Sequence, residues 1–220
     1  MLELSTTYAE IYQFRVVLCG VSPLVWRQLL IASETTLAEL HCALQIAFNW
    51  SDEHWHCFRI HGRNYGIPQW GGTMFHEDAR HIPLSRFRLH CGERFRYEYD
   101  FTADWKLDIR LEKLLPFDPG QPIPLCTAGR RAAPTEDCCG ARDYLERLDR
   151  RRYPFEELAV MAETVQRLLA SEGDRRAISD LDELREAVER VEAYREFQPE
   201  RFERHQVNRQ LQAIHRRVQP

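Results

Sequence analysis

The chain has 220 residues, 44% of them hydrophobic, and a formal net charge of -4. That is enough apolar material for one sizeable core plus an accessory helical region, and no global basic field draws the protein onto nucleic acid. No run approaches the roughly 20 consecutive apolar residues that span a bilayer, and MLELSTTYAE lacks the basic and apolar regions of a secretory signal, so a cytoplasmic protein is expected.

The first half reads as strands around one helix. In Ile11–Cys19, Tyr12, Phe14, Val16 and Leu18 alternate with Gln13, Arg15 and Val17, the period of a half-buried strand. Gly20-Val-Ser-Pro23 supplies turn chemistry, and Leu24–Ile31 follows as the second strand of a hairpin. Thr36 and Glu39 have the spacing of a capping box, and Leu37, Leu40, Leu44, Ala47 and Phe48 then fall on one helical face. Asn49-Trp-Ser-Asp52 breaks the helix. His54–Ile60 is the third strand, with His54, His56, Phe58 and Ile60 on one side.

Glycines and prolines punctuate residues 62–92, a loop with short extended pieces. Two strands return, one alternating Phe95, Tyr97, Tyr99 and Phe101, the other Trp105, Leu107, Ile109 and Leu111. Pro116, Pro119, Pro122, Pro124 and Pro134 exclude long regular elements up to residue 134. Ser179 then caps a helix carrying Leu181, Leu184, Val188 and Val191. Gln198-Pro199 opens a last helix with Val207, Leu211, Ile214 and Val218 on its stripe, and His215-Arg-Arg217 suits its C-terminus.

This order predicts an α+β fold, a mixed β-sheet crossed by one helix and followed by a C-terminal helical region. A β-grasp-like core satisfies the rule of short connections. The chain divides into a strand-rich core over 1–114, a Pro-rich loop packing on it over 115–140, and a helical region of the same compact domain over 141–220.

Four segments carry a family resemblance. The first runs from Tyr12-Gln-Phe-Arg-Val through Pro23-Leu-Val-Trp26-Arg27, Leu37-Ala-Glu-Leu40-His41 and Trp50-Ser-Asp52-Glu-His54-Trp-His56-Cys-Phe58. The second is Tyr97-Glu-Tyr-Asp100-Phe-Thr-Ala-Asp104-Trp105, the third Cys126-Thr-Ala-Gly129 with Pro134-Thr-Glu136-Asp137-Cys-Cys-Gly140, and the fourth Phe197-Gln-Pro199 through Phe202 with Asn208 and Leu211. In this order they resemble the plasmid pRiA4b ORF-3-like family over nearly the whole chain. The resemblance implies an association with plasmids and insertion elements, not a mechanism. Where the family's aromatic–acidic box has Gly, Asp and His, this chain has Thr102, Ala103 and Leu107. In the later run Thr135 replaces a Pro and Cys139 a Gly. Two ionisable groups are thereby missing, which weakens any inherited catalytic role.

Three constellations could carry chemistry. His54 and His56 alternate on a strand, so with His41 or Asp52 they could share a transition metal; equally, they could border the core and bond to backbone. Asp100, Asp104, Glu136 and Asp137 could converge from two loops for acid–base work. Against that, alternation puts Asp100 on the solvent side, and Glu136-Asp137 can cap a helix starting near Ala141. Trp26, Arg27 and Trp105 could bind a ligand or stack on bases, although such residues more often build a β-rich core. The seven cysteines have no CxxC spacing and read as reduced thiols.

With no complete catalytic set, the sequence favours a non-enzymatic interaction or accessory module with a protein partner and no cofactor. A divalent metal enters only with the rival reading, a metal-dependent or acid–base hydrolase using His54, His56, Asp104 and Glu136. Nucleic-acid binding is a third reading, which the net charge does not support.

Overall fold

The period-2 segments pair as their spacing predicts. β1 (Ile11–Leu18) and β2 (Trp26–Ala32) form an antiparallel hairpin in register from Ile11↔Ala32 to Val17↔Trp26. The computed structural model describes residues 10–68, 75–118, 120–174, 178 and 181–218; the sequence-predicted cap Ser179 lies outside them. α1 (Leu37–Phe48) starts at the expected capping box, with Thr36 N donating to Glu39 Oε2 (2.7 Å) and Glu39 N to Thr36 Oγ1 (3.2 Å). Left-handed Asn49 ends it.

β3 (His56–Ile60), β4 (Arg63–Gly66), β5 (Glu77–Asp78), β6 (Arg94–Tyr99), β7 (Trp105–Leu115) and β8 (Leu125–Arg130) complete one eight-stranded sheet. Its order is β5-β4-β3-β6-β7-β1-β2-β8, with β4 and β5 parallel and the other neighbours antiparallel. α1 leaves β2 and enters β3, which lie on either side of β1, β7 and β6, so the helix crosses three strands. The fold is α+β with a mixed sheet. Phe14, Leu29, Ile31, Leu40, Leu44, Phe58, Leu107 and Ile109 are fully buried between helix and sheet, and Phe14 meets Phe95 edge-on at 5.7 Å. Such a layer supplies most of the folding free energy.

Three boundaries differ from the sequence reading. β3 begins at His56, not His54, because left-handed Asp52 (φ 62°) still belongs to the turn after α1; the ladder opens with His56↔Tyr99. β8 lies inside the stretch 115–140, where the prolines flank it. It is an edge strand, and Asn208 occupies its outer side, accepting from Cys126 N (2.7 Å) and donating to Cys126 O (3.0 Å). The last helix, α5 (Arg204–Val218), starts beyond Pro199, which sits in a turn. Between them Phe202 packs against Gly129 and under the Arg27 guanidinium, 3.8 Å from its ring centre. Val207 and Leu211 of α5 are buried as its stripe predicts.

The chain divides into two compact units, one comprising residues up to Ala141 and from Glu200 onward, the other Arg142–Pro199. In the second unit Pro154 separates α2 (Ala141–Arg152) from α3 (Phe155–Ala170), and α4 (Leu181–Glu196) pairs with α3. Buried Glu157 ties those two helices, accepting from Tyr194 OH (3.1 Å) and facing Arg190 (3.3 Å).

Candidate functional site

Where α1 crosses the end of β3 and β6, polar side chains enter the core. His41 and Gln45, one turn apart on the buried face of α1, both point at the sheet. His41 Nδ1 and Gln45 Nε2 each lie 2.8 Å from Tyr97 OH, on β6. The other nitrogen of His41, Nε2, is 2.6 Å from Asp52 Oδ1, and Asp52 N donates to Gln45 Oε1 at 3.1 Å. His56, first residue of β3, stacks on His41 with ring centres 3.6 Å apart and planes 13° from parallel.

Burial lowers the His41 pKa to about 4, and burial reinforced by His41 lowers that of His56 to about 3. Both rings are therefore neutral at pH 7. Gln45 donates to Tyr97 OH, so the phenol's own proton goes to His41 Nδ1, and His41 Nε2–H donates to Asp52. Partial burial raises the Asp52 pKa, Glu136 adds to this, and His56 opposes it.

His41 and His56 offer a ring nitrogen each and Asp52 a carboxylate oxygen, all within 4.8 Å of one another. His56 is 8% exposed, and its buried Nε2 makes no hydrogen bond to any described residue. Two neutral imidazoles and a carboxylate form a donor set for a divalent transition metal and leave coordination positions free.

A second group of residues closes over this end of the sheet. Glu136 accepts from Tyr99 OH in a short bond and from Ser51 N at 2.8 Å, while Trp50 Nε1 donates to Pro134 O at 3.1 Å. Trp50 also stacks on Tyr99, ring centres 5.0 Å apart. The 126–140 segment thus meets the end of β6 and the turn that leads into β3. Burial and the Glu136 carboxylate both raise the Tyr99 pKa.

The remaining sequence candidates fall elsewhere. His54 is exposed, outside the cluster, with Nε2 3.8 Å from Asp100. Asp100 is buried, not on the solvent side, because it adopts the left-handed region (φ 50°) and its Oδ1 accepts from Thr102 N and Ala103 N to shape the β6–β7 turn. Asp104 is exposed and pairs with Lys106; Asp137 is exposed. Glu136 turns to Tyr99 and Ser51 instead of capping α2.

Arg27 is buried, with Nε donating to Ala47 O (2.7 Å) and Nη1 to Trp26 O and Arg130 O. Trp105 is buried too, its Nε1 unbonded among described residues, while Trp26 lies partly exposed under Arg15. Burial raises the thiol pKa of Cys19, Cys42, Cys57 and Cys126, which disfavours the reactive thiolate.

Sequence reasoning missed Gln45, Tyr97 and Tyr99. Two signals were available: a polar i, i+4 pair, His41 and Gln45, on an otherwise apolar helix face, and inward tyrosines whose hydroxyls need partners.

The model of a family described as plasmid pRiA4b ORF-3-like protein matches residues 10–206. The chain belongs to this family. Another protein similar to this pRiA4b ORF-3-like chain is the uncharacterized protein y4hQ of Sinorhizobium fredii, 29% identical over 188 residues, 84% of this chain and 94% of that one. Among solved structures, that of the protein of unknown function MM3350 from Methanosarcina mazei Go1 is similar at a TM-score of 0.66 and 26% identity. The match covers 90% of the pRiA4b ORF-3-like chain and 97% of MM3350. No helix among the described residues is long and apolar enough to cross a membrane.

Proposed function

We propose that this protein binds a divalent transition metal through His41, His56 and Asp52 and uses it in a hydrolase-like reaction. The observation that carries the reading is the buried, unbonded Nε2 of His56 beside the His41–Asp52 pair. A buried nitrogen lone pair left unsatisfied costs about 1–3 kcal/mol, and a cation held between the three groups removes that cost. Three protein ligands leave room for a water, whose pKa the metal lowers. Glu136, whose charge acts on Asp52, would take a proton from that water. Of the four sequence candidates for a metal, His41, Asp52 and His56 form the proposed ligand set, and exposed His54 stays outside it.

Elemental analysis of protein purified without chelator, followed by titration of stripped protein with Zn²⁺ and Co²⁺, tests the proposal. One equivalent of metal is expected, lost in His56→Ala and kept in His54→Ala. Folded protein that takes up neither ion at neutral pH overturns it.

A second reading, an accessory module docking a protein partner, draws support from α3, where Phe155, Val165 and Leu169 are 71%, 53% and 74% exposed. Replacing Val165 and Leu169 with Glu would then abolish partner capture while leaving metal content unchanged.

A further inference from the structure

The sheet face turned away from α1 carries a charge pattern that the overall acidity of the chain conceals. Alternation sends Arg94 and Arg96 of β6, Arg110 of β7, Arg15 of β1 and Arg59 of β3 to that face, opposite the buried Phe95, Tyr97, Ile109, Phe14 and Phe58. Register places them side by side. Arg59 faces Arg96 across β3 and β6, Arg94 faces Arg110 across β6 and β7, and Arg110 faces Arg15 across β7 and β1.

Like charges directly opposite on neighbouring strands destabilise a sheet. Carboxylates relieve part of this, Glu98 at 2.9 Å from Arg59 and Asp108 at 2.6 Å from Arg94. Arg96 and Arg110 are exposed and make no ion pair with a described residue. Arg15 lies over the Trp26 ring, 4.1 Å from its centre.

We propose that this face binds single-stranded nucleic acid. Arginines about 4.8 Å apart across strands and about 6.8 Å apart along them form a grid that can follow a flexible phosphate backbone. A duplex would present a convex surface to a broad sheet, whereas a single strand can lie flat on it. Trp26 with its stacked guanidinium offers a planar platform for a base at the border of the grid. A bound polyanion relieves the repulsion among Arg94, Arg110 and Arg15. The proposal is independent of the metal site, which lies on the other face.

Fluorescence anisotropy with a labelled 20-nucleotide oligo-dT, and with the same length of RNA, tests it on the full chain. Binding should weaken with salt, by about 50-fold between 50 and 200 mM if four phosphates are neutralised. Arg96→Glu with Arg110→Glu, both exposed positions, should remove binding without changing the circular dichroism spectrum. Trp26→Ala should weaken it roughly tenfold. No binding at 50 mM salt overturns the proposal, as does equal affinity of the double variant. Equal affinity for polyglutamate of the same length also overturns it, since the face would then select charge alone.

Discussion

The imidazole of His41, on α1, lies stacked on that of His56, on β3, with 3.6 Å between ring centres and only one of the two rings tied to a carboxylate. A cation bonds along a ring nitrogen's lone pair, in the ring plane, and two nearly parallel rings at this distance do not share one plane. A shared cation therefore requires a small splaying of the rings, and the loop position of Asp52 lets its carboxylate follow.

The first prediction concerns Tyr97, which touches no proposed metal position. A metal on His41 Nε2 displaces the ring proton from Nε2 to Nδ1 and so reverses the bond to Tyr97 OH, 2.8 Å away, which then accepts from Nδ1–H. Tyr97→Phe leaves that buried N–H unpaired. Losing a partner behind a ligating histidine typically costs 10–100-fold in metal affinity, and competition with a chromogenic chelator should show a loss of about this size. Unchanged affinity in a folded Tyr97→Phe protein would remove His41 from the ligand set.

A second prediction follows from the neutral histidines. In metal-free protein both titrate below their unfolded value of about 6.5, His56 at about 3 and His41 at about 4. Because the folded pKa values are depressed, the unfolded chain binds protons first as pH falls. Their contribution is complete above pH 6.5 and is lost progressively down to the folded pKa values. At pH 5 the loss is on the order of 2–4 kcal/mol for the pair. Urea midpoints at pH 7.5 and pH 5 measure it, and the double variant His41→Gln, His56→Gln should flatten the difference. A wild-type midpoint independent of pH in this range would contradict it.

Only part of this site is legible in the sequence. The capping box at Thr36 and Glu39, the alternating strands and the helix crossing them are local patterns, readable because backbone geometry imposes their periods. Three of the metal candidates, His41, Asp52 and His56, do converge, but the choice between Asp52 and His54 was not local. It depends on the left-handed turn at Asp52, which folds the carboxylate back toward α1 and leaves His54 outside the strand. Tyr99 meets Glu136 across 37 residues of chain, and only tertiary packing makes that pair. The arginine grid needed the strand order, since β1 meets β7, and β3 meets β6, only through long connections.

Arg27 supports a third prediction. The residue is 2% exposed, and its guanidinium is bonded to three backbone carbonyls and stacked on Phe202. It fastens β2 to α1, to β8 and to the segment before α5. Arg27→Ala strips those carbonyls of donors and opens a cavity, at a cost of about 3 kcal/mol or more. Arg27→Lys restores the charge but neither the planar stack nor the forked geometry, and should recover less than half of the loss. Chemical denaturation of both variants decides the matter, and a lysine variant as stable as wild type would show that charge alone suffices.

The final prediction concerns Gly140, which links the β6–β7 turn to the segment bearing Glu136. Its backbone lies at φ +102°, and a Cβ there would stand 2.6 Å from the carbonyl oxygen of Ala103. Neither the strained dihedral nor the contact with main-chain oxygen can be relieved by turning a side chain. Gly140→Ala must therefore push residues 134–140 away from the turn, costing about 1–3 kcal/mol. The displacement draws Glu136 off Tyr99 OH and Ser51 N, the two bonds that hold it beside Asp52. With the glutamate withdrawn, both the burial and the charge that raise the Tyr99 pKa diminish, so the phenol should ionise at lower pH than in wild type. Ultraviolet difference titration reads the tyrosinate directly, and thermal melts read the stability. A Gly140→Ala protein with wild-type stability and an unshifted tyrosine titration would show that Glu136 is held in place by something other than this close approach.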